Sequence, residues 1–306
     1  MALAGCGGGG GGGDDSRTPA ERRSTQSAQP PAAALCSRPA AAAKPALGGP
    51  ALRQRIVEVA RERGVFVGRA DGSKLRRLTG IAGFEYQPDW SPDGRWLLLR
   101  VDGNGPDDPR GGVHVVSADG SRVRNLSGRM RIQGGSGDWS PDGMRIVFAG
   151  QRDGDTHPNL YIATADGARA CRLTDDRFEA QYPAWSPDGR KIAFSRPVGN
   201  EDFDLGVFTL GQRDARPLTS GPEGDNWPEW SPDGRTIAFS RNDGELWLMD
   251  ADGSSPRRLT EGGEHAWSPD GRWLGFNCSA GLCASRADGS QQTTLMRDGG
   301  FIAWKP

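Results

Sequence analysis

The chain has 306 residues, 35% of them apolar, and its 46 glycines bring the total close to the globular norm of roughly 45–50% on a scale that counts glycine. A formal net charge of −1 gives no sign of the clustered basic surface that phosphate recognition normally needs, so no nucleic-acid partner is expected. No run of about 18 apolar residues occurs, so nothing in the sequence reads as a membrane-spanning helix.

Residues 1–50 differ from the rest, with glycine from Gly7 to Gly13 and then Ser, Gln, Pro and Ala through Pro50. Such a segment buries too little apolar surface to offset its ordering entropy and is expected to be a disordered tether. Its "LAGC", Leu3 to Cys6, resembles the lipobox of bacterial lipoproteins, in which the cysteine is lipidated. The charged and apolar parts of a signal peptide do not precede it, so the expectation is a start upstream of Met1 with Cys6 as lipidation site; the other reading is a chance match in a leader.

From residue 51 a repeat takes over. Residues 55–79, RIVEVARERGVFVGRADGSKLRRLT, align without a gap to residues 236–260, TIAFSRNDGELWLMDADGSSPRRLT, and form the first unit, which lacks an opening strand. Glu58 stands there where other units carry Phe.

"WSPDG" then begins at Trp90, Trp139, Trp185, Trp230 and Trp267, at spacings of 49, 46, 45 and 37 residues, the period of a four-stranded propeller blade. Pro presets φ, Asp tolerates the third turn position and Gly takes positive φ, so each copy predicts a tight turn between strands A and B. A β-branched strand B follows, then a loop, strand C, a second tight turn "ADG" (from Ala70, Ala118, Ala165, Ala251 and Ala287) and a polar strand D ending in Leu-Thr. The final "FIAW", with Trp304 at 37 residues beyond Trp267, supplies strand A to the first unit. The expected fold is therefore all-β: a six-bladed β-propeller with four antiparallel strands per blade, its ring closed by pairing of the C-terminal strand with the N-terminal blade, which removes exposed edges.

These repeats resemble the TolB-like propeller family (PD40, WD40-like repeats) over residues 51–306. WD40 repeats end a blade on Trp-Asp, and the sialidase Asp-box needs a residue between Asp and Gly; neither pattern fits. The family's N-terminal α/β domain has no counterpart in residues 1–50, so the resemblance implies the propeller but not a place in the Tol-Pal envelope machinery.

The A–B and C–D turns share one face of such a propeller, and the variable B–C and D–A loops share the other, where binding is expected. Candidate binding residues there are Asp102, Asp107, Asp108, Asp153, Asp155, His157, Glu223, Asp225, Trp227, Glu264 and His265, with Tyr86 and Tyr182 as further aromatic anchors. The acids predict a negative mouth that attracts a basic peptide or a divalent cation, or else a solvated rim. Arginines of the fourth strands (Arg76, Arg77, Arg122, Arg124, Arg172, Arg257, Arg258) read as edge charges that discourage aggregation.

Of five cysteines, Cys278 and Cys283 flank the turn "SAGL" and read either as a short cross-strand disulfide or as two neighbouring thiols; Cys36 and Cys171 suggest no metal spacing. No Gly-x-Ser-x-Gly elbow, phosphate loop or His-Glu-x-x-His pair occurs. The expected function is a non-catalytic, monomeric binding propeller of the cell envelope that engages a protein, peptide or envelope polymer, with no cofactor and with the membrane reached only through a lipid on Cys6. The alternative is a metal-dependent polysaccharide lyase or hydrolase using His114, His157 and His265.

Overall fold

The computed structural model describes residues 32–41, 55–60, 64–69, 73–81, 84–102, 111–175, 179–198, 202–242, 244–297 and 300–306. All belong to one unit, Pro31–Pro306. In chain order the elements begin with helix α1 (Ala32–Ser37) and strands β1 (Arg55–Ala60), β2 (Gly64–Arg69) and β3 (Arg76–Arg77). Next come β4 (Phe84–Trp90), β5 (Trp96–Asp102), β6 (Gly112–Ser117), β7 (Val123–Asn125) and a short helix α2 (Leu126–Met130). The third set is β8 (Gln133–Trp139), β9 (Arg145–Gln151), β10 (Asn159–Thr164) and β11 (Ala170–Arg172); the fourth is β12 (Gln181–Trp185), β13 (Lys191–Val198), β14 (Asp202–Thr209) and β15 (Arg216–Pro217). The fifth is β16 (Asp225–Trp230), β17 (Thr236–Arg241), β18 (Glu245–Asp250) and β19 (Arg257–Glu261); the sixth is β20 (His265–Trp267), β21 (Trp273–Cys278), β22 (Gly281–Arg286) and β23 (Gln292–Met296), and β24 (Phe301–Trp304) ends the chain.

Each set from β4 onward is one antiparallel four-stranded blade, and the first blade has the order β24-β1-β2-β3. There β24 runs antiparallel to β1, with Ile56 opposite Trp304 and Val59 opposite Phe301. The fold is an all-β propeller built of antiparallel four-stranded blades.

The turn chemistry explains why the pentapeptide recurs. In all five copies the Ser Oγ donates to the Asp two residues on, at 2.6–2.7 Å. The same Ser Oγ accepts the N–H of the residue five positions on, as in Trp96, Arg145 and Trp273. The Gly takes φ between 63° and 71°, a region that favours glycine. One hydroxyl and one carboxylate thus satisfy the turn's own backbone and fix the register of strand B.

The apolar core is divided among the junctions between blades rather than gathered in one place. Each repeat tryptophan packs against the preceding blade: Trp90 with Val65 and Val67, Trp139 with Leu98 and Val115, Trp304 with Ala266 and Leu282. On the outside, Arg76 donates to Ala118 O (2.9 Å), Arg216 to Asp252 O (3.1 Å) and Arg257 to Ala287 O (2.6 Å). Each of these arginines clasps the C–D turn of the next blade, so Arg76 and Arg257 are joints as well as the edge charges their strands suggest.

Part of the expected tether is ordered. Residues 32–41 lie along blades 3 and 4, with Leu35 and Ala40 buried among Val147, Leu160, Trp185 and Phe194. Cys36 is disulfide-bonded to Cys171, 135 residues away, and Arg145 donates to Leu35 O (2.9 Å) and Arg38 O (2.7 Å). The expectation of disorder through residue 50 fails for this stretch because composition reports local apolar content, whereas the docking is made by a covalent bond and a buried guanidinium from distant sequence. A second disulfide joins Cys278 and Cys283 across the β21–β22 hairpin.

Candidate functional site

A cavity of about 270 Å³ is lined by residues of all six inner strands, β4, β8, β12, β16, β20 and β24. Its wall is organised by distance from the repeat tryptophan. Three residues before each tryptophan stand Gln87, Ser136, Tyr182, Trp227, Glu264 and Phe301, all of which line the cavity. They form the mouth of a channel.

The backbone there is unusual. Gln87, Tyr182 and Trp227 have φ of 48°, 47° and 52°, and each precedes a proline. Non-glycine residues in the left-handed region are uncommon and conformationally costly, more so for large aromatics. The first-to-second strand registers shift at these points, between Tyr86 and Asp89, Gln181 and Ala184, and Asn226 and Glu229. A bulge re-aims side chains, and here it turns Tyr182 and Trp227 toward the mouth, where their rings meet edge to face at 5.6 Å. The turned backbone is held by Ser136 Oγ, which accepts from Tyr182 N, and Ser195 Oγ, which accepts from Trp227 N, both at 3.1 Å.

One residue before the tryptophan stand Asp89, Asp138, Ala184, Glu229, Ala266 and Ala303, so carboxylates occupy blades 2, 3 and 5. Each acid accepts the backbone N–H of the next blade's tryptophan: Asp89 from Trp139 (3.0 Å), Asp138 from Trp185 and Glu229 from Trp267 (3.0 Å). Burial pushes Asp89 up to about 6 and Glu229 up to about 8, while burial and the neighbouring Asp89 charge raise Asp138 well above the carboxylate range. Burial thus favours a shared proton between Asp138 and Asp89, with Asp138 the more strongly raised of the two. Burial also lowers His265 to about 4, leaving it neutral, with Nδ1 3.1 Å from Gly263 O. At neutral pH Asp89 is therefore ionised, while Glu229 and Asp138 keep their protons and His265 is neutral.

Of the residues singled out from sequence, Trp227, Glu264 and His265 line the cavity together with Tyr182. Glu264 accepts from Asn277 Nδ2 at 2.8 Å. Asp225 is buried and bonded by both its oxygens to Arg241 (2.7 and 3.0 Å), and Asp155 pairs with Arg172 (2.8 Å) and accepts from the Tyr161 hydroxyl. Asp102 pairs with Arg100 at 3.0 Å. Asp153, His157 and Glu223 are exposed, away from the channel lining. Asp107, Asp108, Cys6 and the Tyr86 side chain lie outside the described residues.

The acids of the loop face are thus in part neutralised by arginines of their own blades. His114 is buried with Nδ1 3.1 Å from Gly112 O, so it does not reach the mouth. Among the described residues no group of three His, Cys, Asp or Glu side chains is placed to hold a metal ion. Sequence reasoning passed over Asp89, Asp138 and Glu229, although the letter before each "WSPDG" was there to be read.

The family model described as TolB beta propeller domain (PD40) matches residues 159–281. The Tol-Pal system protein TolB of Francisella tularensis subsp. mediasiatica is 26% identical over 175 residues, which cover 53% of this chain and 39% of that protein. A Bacillus subtilis protein named uncharacterized peptidase YuxL is 41% identical over 61 residues, 20% of this chain and 9% of that protein. The chain therefore spans well under half the length of these curated relatives. The crystal structure of TolB from Acinetobacter baumannii has the same fold, with a TM-score of 0.68 at 19% identity over 84% of this chain and 68% of the other.

Proposed function

Since the chain is a TolB-like β-propeller, we propose that it is a non-catalytic, extracytoplasmic binding module that takes a segment of a protein or peptide partner into its channel mouth. The observation that carries this reading is the ring three residues before each tryptophan, where Tyr182 and Trp227 are held at positive φ and aimed into the cavity. Strain at aromatic side chains is retained where their direction matters. Amphipathic rings at a concave mouth are typical anchors for a polypeptide. The acid layer beneath offers the hydrogen-bonding groups of Asp138 and Glu229 together with the charge of Asp89.

The scaffold is proposed to be a monomeric six-bladed ring closed by β24, a reading supported by the β24–β1 pairing and by the apolar cluster of Ala266, Leu282, Ile302 and Trp304. Two disulfides favour an oxidising compartment. A lipid on Cys6 would add attachment to the envelope membrane.

The test is a photo-crosslinking amino acid placed at Tyr182 or Trp227 and, as a control, at Arg213 on the outer rim. A defined polypeptide adduct from the channel positions and none from the rim is expected. Trp227→Ala should weaken capture of that polypeptide about 30-fold, the equivalent of a 2 kcal/mol hot spot. Equal labelling from both places would overturn the reading.

A further inference from the structure

The fourth strands depart from a pattern in two blades. At the position six residues after the first residue of each second turn (Ala, or Leu210 in blade 4), blades 1, 2, 4 and 5 carry Arg76, Arg124, Arg216 and Arg257, three of which clasp the next blade, and blade 6 carries Thr293. In blade 3 that position is Cys171, opposite Ile162 in the register that places Arg257 opposite Leu248. The sulfur that replaces the guanidinium is bonded to Cys36.

What Cys36 brings is a substitute for the missing clasp. The strap of residues 32–41 crosses from blade 3 to blade 4: Ala41 N donates to Asp142 Oδ2 in the blade 3 turn (3.1 Å), and Ala40 N donates to Gly189 O in the blade 4 turn (2.7 Å). A Cβ on Gly189 would lie 2.2 Å from Ala40 O, so the fit leaves no room there. Arg145, only 8% exposed, finds two acceptors in the strap's Leu35 and Arg38 carbonyls while its guanidinium lies 5.1 Å over the Trp185 ring in the channel wall. Without the strap, a buried charged donor loses both carbonyls, and an unsatisfied buried donor is costly.

We propose that residues 32–41 form a redox-operated clasp, locked by the Cys36–Cys171 disulfide, which joins blade 3 to blade 4 and is released by a dithiol reductant. Both sulfurs belong to partly exposed residues, whereas Cys283 of the other disulfide is buried. In release, a thiolate of the reductant attacks one sulfur and forms a mixed disulfide, and the other sulfur leaves as a thiolate that takes up a proton. The reductant's second thiol then displaces the first cysteine, so the protein gains two electrons and two protons and the dithiol becomes a disulfide. The freed strap withdraws Leu35 and Ala40 from the core of the junction, and β12 loosens.

The test uses the full chain with dithiothreitol as the reductant and hydrogen exchange over residues 181–191 as the readout, which does not depend on what the channel binds. Reductant should speed exchange there at least tenfold in the wild type. Cys36→Ser should exchange at that faster rate without reductant and respond no further. Cys36→Ser/Cys171→Arg should recover slow exchange, because arginine at this register reinstates the clasp that Arg76, Arg216 and Arg257 make at three other junctions, and should be indifferent to reductant. Unchanged exchange in the reduced wild type, or an equal response in Cys36→Ser that points to Cys278–Cys283, overturns the proposal. A double variant that exchanges as fast as the single one overturns the equivalence with arginine.

Discussion

The turn face and the channel mouth use the same device, a backbone position forced to positive φ, in opposite ways. On the turn face five glycines adopt φ of 63–71° inside five identical Ser-Asp networks. At the mouth the positive φ is given to Gln87, Tyr182 and Trp227, at 47–52°, where glycine would be free of the cost. Chemistry repeated without variation is what closure of each hairpin requires. Chemistry varied from blade to blade on a shared backbone, and kept despite strain, is what the proposed binding mouth requires.

That contrast can be broken at three depths. Deleting residues 301–306 should have the largest effect, since it removes β24 and buried Ile302, Ala303 and Trp304 and exposes the edge of β1. Loss of the cooperative thermal transition is expected; a truncated chain that melts like the parent would show that the ring does not depend on this strand. Ser268→Ala should cost about 1–3 kcal/mol, because Asp270 loses one of its two donors, keeping Arg272 N–H, and Trp273 N–H loses its acceptor, yet leave partner capture by the folded protein unchanged. A capture defect at this turn would erase the distinction between the faces.

The smallest effect is expected from Glu229→Gln, read as the pH dependence of stability. The folded Glu229 holds its proton up to about pH 8, whereas the unfolded carboxyl releases it near the ordinary glutamate value of 4.5. Between those values the unfolded chain binds fewer protons, so this group's contribution to stability is full below the lower value, falls as pH rises and is gone above about 8. Gln at this site should flatten the decline in melting temperature across that window. An unaltered slope would mean that Glu229 titrates normally and is charged at neutral pH.

The blades were legible because their signals are local. The Ser-Pro-Asp-Gly letters carry their own hydrogen bonds, and Trp304 completes a spacing. The channel acids were harder to read, because the bulges before Trp90, Trp139 and Trp230 break the alternation by which a strand tells inward from outward residues. Asp155 and Asp225 were counted as free charge for a related reason: Arg172 and Arg241, which neutralise them, lie 17 and 16 residues further along and meet them only across the folded sheet. The strap was not legible at all, since six residues of helix in an alanine-rich leader give no hint of a cysteine and a guanidinium waiting more than 100 residues away.

The pairing of β24 with β1 also sets a schedule. Strand β1 begins at residue 55 and its partner at residue 301, so the first blade begun is the last one finished. At roughly 5–20 residues per second of synthesis, β1 precedes its neighbour by more than ten seconds. Through that interval its edge is an open template, and the most complementary strand nearby is the β24 of another copy. Exchange of this one strand between chains is therefore the route by which a propeller whose first blade takes a strand from the far end of the chain would first become a dimer or an aggregate.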